Sequence, residues 1–90
     1  MTATIPDIAS AITVFHETDA GRHKFTSPQV AGLFMVVDEE RLERAYNEIP
    51  RTLETLILLD TGRRVSVHHE RTYEEYDAHR RMGVYSVRAA

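Results

Sequence analysis

Apolar residues recur along this chain in two periods, and the switch between them marks the elements. Ala11-Ile12-Thr13-Val14-Phe15-His16 is rich in β-branched and aromatic side chains and predicts a first strand. Thr18-Asp19-Ala20-Gly21-Arg22 carries turn formers, and Gly21 tolerates the positive φ that a tight hairpin wants. A second strand is expected from about His23 to Ser27. The third, Leu33-Phe34-Met35-Val36-Val37, is apolar on both faces. A strand without a polar face needs cover on both sides. A helix is the expected cover for one, and another subunit is the candidate for the other, through Phe34 and Val36.

From Asp38 the period changes. Leu42, Ala45, Tyr46, Ile49, Leu53, Leu56 and Ile57 recur at helical spacing. Asp38 is the expected N-cap, and Glu39, Glu40 and Glu43 load the first turns with charge that suits the helix dipole. Pro50 interrupts the pattern but not its phase, so the expectation is one kinked helix, or two in line, to about Leu59. Gly62 is the expected stop. A rival reading makes Thr55 to Leu59 a strand; the unbroken helical phase back to Leu42 favours the helix.

Arg64-Val65-Ser66-Val67-His68-His69 alternates and predicts a fourth strand. Thr72-Tyr73-Glu74-Glu75 has the form of a capping box and predicts a short helix over about 72–82, closed by Gly83. Val84 to Val87 then reads as a final edge strand or an extended arm. The sum is one α+β domain over residues 1–90, with its core at about 11–69. It is a small antiparallel-rich sheet in the order β-β-β-α-β, with one long helix on a face and a short C-terminal helix.

Composition narrows the function classes. At 90 residues and 42% hydrophobic, the chain has enough apolar material for one modest core, whose marginal stability self-association would raise. The net charge of −3 gives little reason to expect binding to DNA or to acidic membranes. The absence of cysteine removes disulfides, thiolate metal sites and cysteine nucleophiles. The longest apolar run, Leu56 to Leu59, is too short to span a bilayer, and the N-terminus lacks the pattern of a signal peptide. A cytoplasmic protein is expected.

No residue set announces a reaction. His68 and His69 are adjacent on a strand and point to opposite faces, so they cannot share an ion simply. His16 and His23 flank the first turn and can face each other across a hairpin, but lack a further ligand at short spacing. A surface or cross-strand role is favoured, with no metal and no cofactor. A two-metal nuclease needs carboxylates converging from strands. The predicted strands carry none, so Asp38, Glu39, Glu40, Glu43, Glu48, Glu70, Glu74, Glu75 and Asp77 read as solvated helix ends and faces. Ser27 lacks a nucleophile elbow and a base, which leaves it a turn role. Arg63, Arg64, Arg71, Arg80 and Arg81 interleave with acids, the pattern of salt-bridged surfaces. Tyr73 and Tyr76, three apart on the predicted short helix, read as core or interface anchors. No catalytic residue is assigned.

The order of elements, with Phe25 and Ser27-Pro28-x-x-x-Gly32-Leu33 between the second and third strands, resembles the N-terminal domain of HicB-like antitoxins. The shared residues, over about 11–69, are turn and core formers. In that family a similar Ser-Pro-x-x-x-Gly-Leu segment precedes a leucine-bearing amphipathic helix, here Leu42, Ala45, Ile49 and Leu53. The resemblance implies a partial RNase H-like fold, dimers or larger assemblies, and a partner that is a small RNA-cleaving toxin. Those antitoxins usually carry a C-terminal DNA-binding module, and too few residues follow Gly83 to supply one. The expected function is therefore a non-enzymatic protein-binding module, an antitoxin or antitoxin-derived regulator that masks a toxin. The alternative is a self-assembling regulatory or scaffold domain without a toxin; a degenerate nucleic-acid enzyme is a more distant one. An acidic inhibitor surface at Glu39, Glu40 and Glu43, with Tyr73 and Tyr76, would complement a small basic partner.

Overall fold

The computed structural model describes residues 11–74 and 80–90. They form five strands and one long helix: β1 (Ala11–Asp19), β2 (Arg22–Thr26), β3 (Phe34–Asp38), α1 (Leu42–Thr61), β4 (Val65–Glu74) and β5 (Arg80–Ala89). One antiparallel sheet holds all five strands in the order β3-β2-β1-β5-β4. The class is α+β, as expected from the sequence.

The turn between β1 and β2 consists of Ala20 (φ 52) and Gly21 (φ 79). Positive φ at both centre positions is the geometry whose twist matches a two-residue hairpin. The link from β2 to β3 is closed by a Leu33 N–H donated to the Val30 carbonyl at 3.0 Å and a Val30 N–H donated to Ser27 Oγ at 3.2 Å. Ser27 thus has the turn role its sequence context suggests.

Asp38 is not a side-chain cap. It remains in β3, paired with Arg22, and a single turn of 3-10 helix (Glu39–Arg41) intervenes before α1. The helix then runs from Leu42 to Thr61 as one segment that includes Pro50, so residues 55–59 are helical. It ends at Gly62, whose φ of 75 lets its N–H reach the Leu58 carbonyl at 2.8 Å. Ala45, Ile49, Leu53 and Ile57 recur every fourth residue and form the buried stripe. They pack on Ile12 and Val14 of β1, Phe25 of β2, Val67 of β4, and Tyr85 and Val87 of β5, with Leu33 closing one end.

Two expectations about the C-terminal third are corrected. Thr72 and Tyr73 do not open a helix: they lie in β4, opposite Gly83 and Met82. Residues 75–79, including Tyr76, lie outside the described residues, and strand resumes at Arg80. Residues 84–87 are neither an edge nor an arm, because β5 sits inside the sheet between β1 and β4. The physical reason is long-range. A capping box offers two local hydrogen bonds, whereas β5 pairs with a neighbour on each side and buries Tyr85 and Val87. Gly83 fits this interior place because a Cβ there would stand 3.1 Å from the Tyr85 ring.

Candidate functional site

Helix α1 covers one face of the sheet, and no other described element covers the opposite face. Alternation along each strand sends Phe15, Thr26, Phe34, Val36, Met82, Val84 and Tyr73 to that open face. The pairings place Phe34, Thr26, Phe15, Met82 and Tyr73 in one cross-strand row that touches all five strands. At about 4.8 Å per strand the row is roughly 19 Å long. Its ends are the most open: Phe34 is 67% exposed and Tyr73 44%. Arg80 lies 3.8 Å above the Phe15 ring centroid, and Lys24 pairs with Glu17 at 3.4 Å beside it. The result is an apolar strip bordered by charge, the composition of a protein-binding patch.

The second feature is a buried polar chain between sheet and helix. His16 and His23 are 4% and 5% exposed, which the sequence does not disclose. They do face each other across the hairpin, as their spacing allows, with His16 Nε2 2.7 Å from His23 Nδ1. His23 Nε2 lies 2.8 Å from Glu39 Oε1, and His16 Nδ1 lies 2.5 Å from the Tyr46 hydroxyl. Proton positions follow from the end of the chain when both imidazoles are neutral. A carboxylate only accepts, so His23 Nε2–H donates to Glu39. His23 Nδ1 must then accept, so His16 Nε2–H donates to it, and the Tyr46 O–H donates to His16 Nδ1. Thr18 Oγ1 stands 3.4 Å from His23 Nδ1.

The His16 ring stacks on Phe25 at 4.6 Å, and Tyr46 meets both rings edge-on. Burial, reinforced by the neighbouring His23 and by Arg81, lowers the His16 pKa to about 4. Burial raises that of Tyr46, against a hydrogen bond from Arg81. Burial likewise pushes Tyr85 up to about 12, with Tyr46 adding to it. The chain is linear, and no group of three metal-ligating side chains converges among the described residues. Its chemistry is that of a satisfied network tying the β1–β2 hairpin to the start of α1.

The structure separates the residues that sequence brings forward. Phe34 and Val36 stand together on the open face. Tyr73 joins them at the far end of the same row, from a strand rather than a helix; Tyr76 falls outside the described residues. Glu39, Glu40 and Glu43 are all exposed, and Glu39 also places its carboxylate on His23. His68 and His69 have separate partners, Ser66 for one and Thr72 with the Tyr85 ring for the other. The strands are not free of carboxylates: the longer observed strands include Glu17, Asp19, Asp38, Glu70 and Glu74. Sequence reasoning misses Phe15 and Met82. Phe15 is legible as the apolar residue out of phase with Ile12, Val14 and His16; Met82 is hidden by the helical reading of its segment.

No protein family, curated protein or solved structure matches this chain on comparison. Among the described residues no helix is long and apolar enough to cross a membrane.

Proposed function

We propose that this chain is a non-enzymatic protein-binding module, and that the open sheet face is where it binds. The observation that carries the reading is the five-strand apolar row from Phe34 to Tyr73, opposite a helix that already buries the other face. The partner class follows from the HicB-like resemblance: a small basic RNA-cleaving toxin, masked by occlusion in the cytoplasm. Exposed Glu39, Glu40 and Glu43, which follow β3 in the chain, would steer a basic partner. DNA binding forms no part of this role, in keeping with the net charge of −3. The second reading is a self-assembling regulatory or scaffold domain, favoured by β3, whose exposed Phe34 and Val36 lie at a sheet edge.

The test uses the purified chain and the small basic protein encoded beside it. The expected result is a stable complex and protection of RNA from cleavage, both weakened by Tyr73→Glu at the end of the row distant from β3. No complex and undiminished cleavage would remove the toxin reading. A complex untouched by Tyr73→Glu would move the binding surface off the open face.

A further inference from the structure

The two edges of the sheet are built differently. β4 is defended. Its register slips between His69 and Arg71, leaving a bulge at Glu70, and Glu70, Arg71 and Glu74 are charged. Its backbone is also blocked: Glu54 of α1 accepts the outward Val67 N–H at 2.9 Å. β3 has none of these devices. It is regular over its whole length, and four of its five residues are apolar. Only Asp38, at one end, is charged.

The hydrogen-bond phase of β3 follows from the hairpin. The two-residue turn makes Asp19 and Arg22 a hydrogen-bonded pair, so Arg22, Lys24 and Thr26 direct their backbone groups to β1. His23 and Phe25 then bond to Val37 and Met35 of β3. The Asp38 C=O, at the N-cap of the 3-10 turn, accepts that turn's first bond, which leaves the N–H and C=O groups of Phe34 and Val36 and the N–H of Asp38 pointing away from the sheet. Among the described residues no hydrogen bond reaches them from that side.

We propose that β3 is a dimer seam, at which a second copy of this chain adds its own β3 antiparallel, with Val36 opposite Val36 of the partner copy. In this register Phe34 of each copy pairs with Asp38 of the other. Val36 then exchanges both backbone bonds with Val36 of the partner copy, and each Asp38 N–H meets the Phe34 C=O of the other copy. Moving the twofold centre to Phe34 or Asp38 leaves part of the edge unpaired or runs it into the 3-10 turn. The occupant is a second copy because the surroundings are self-complementary. Beside the seam on the helix side lies a concavity of about 340 Å³ lined by Met35, Val37, Arg41, Arg44, Ala45 and Glu48. It presents apolar side chains bordered by Arg41 and by the Arg44–Glu48 pair, 3.5 Å apart within one copy, so a twofold brings each copy's Met35 and Val37 together and sets this mixed-charge border against itself. The sheet becomes ten-stranded, and Phe34 and Val36 of both copies join into one apolar strip. This deepens the binding-module reading, yet its test needs no toxin, so the two fail separately.

The experiment is light scattering after gel filtration over about 1 to 200 µM, the range suited to a short seam. The expected wild-type mass approaches twice 10.3 kDa as concentration rises. Val36→Pro removes the central outward N–H and should hold the mass at the monomer value with an unchanged far-ultraviolet spectrum. Because the chain has no cysteine, a single one reports geometry. Facing residues of such a pair have Cα atoms about 5.5 Å apart, within disulfide reach. Val36→Cys should therefore give a cross-linked dimer on mild oxidation, and Ser66→Cys on the defended edge should not. If Val36→Pro misfolds, the cysteine arms decide. A wild-type monomer at 200 µM, a dimer indifferent to Val36→Pro, or equal cross-linking at both edges would each overturn the seam.

Discussion

Acid should loosen the joint between the β1–β2 hairpin and α1 through His16. With a folded pKa of about 4, against 6.5 for an unperturbed imidazole, His16 stays neutral in the fold at pH values where the unfolded chain takes up a proton. The sign follows: between these values the unfolded state binds more protons, so stability falls as pH falls. Above 6.5 the contribution is complete, and below about 4 no more is lost. At about 1.4 kcal/mol per pH unit the gap corresponds to at most about 3.5 kcal/mol, of which about 3 falls above pH 4. The structural cost behind it is specific. A second ring proton on His16 goes to Nδ1, so the Tyr46 hydroxyl faces a donor where it had an acceptor, with Arg81 close by. The comparison variant is His16→Gln, whose amide still offers a donor and an acceptor but does not titrate. Urea unfolding of both proteins at one fixed concentration, from pH 7.5 to 4, cancels in the difference the ionisable groups outside the His16–His23–Glu39 chain. The wild type should lose up to about 3 kcal/mol more than the variant over that range. Parallel pH curves, or an NMR midpoint for His16 near 6.5, would refute the argument.

Two further outcomes concern the scaffold. Leu53 is fully buried at the centre of the α1 stripe, so Leu53→Ala should cost about 2–5 kcal/mol in urea unfolding; a loss under 1 kcal/mol would mean that the helix is not packed as described. Gly62→Ala forces a Cβ into the left-handed region at the end of α1 without touching any neighbour, so a thermal melt should show a loss of about 1 kcal/mol with binding unaltered.

Local signals set much of this fold from the sequence alone. Gly21 and Gly62 mark two chain reversals because positive φ is cheap only there. The i, i+4 stripe from Ala45 to Ile57 specifies α1 strongly enough to carry the helix through Pro50. The β-branched runs place the first four strands within one or two residues at most ends, although β1 and β4 extend further than their apolar cores. Phe34 and Val36 are legible as surface candidates, since a strand with no polar face must present one apolar side outward.

What the tertiary structure decided lies in contacts distant in sequence. The Thr72–Glu75 signal for a helix is local, and pairing of β5 with both β1 and β4 outweighs it; no window of neighbouring residues contains that information. The burial of His16 and His23 depends on Tyr46 and Glu39 arriving from α1 and its approach. The apolar row needs five strands in register before Phe15, Met82 and Tyr73 become neighbours of one another across the sheet. Periodicity states which side of an element is apolar; only the assembled sheet states which apolar sides meet a helix and which are left facing outward.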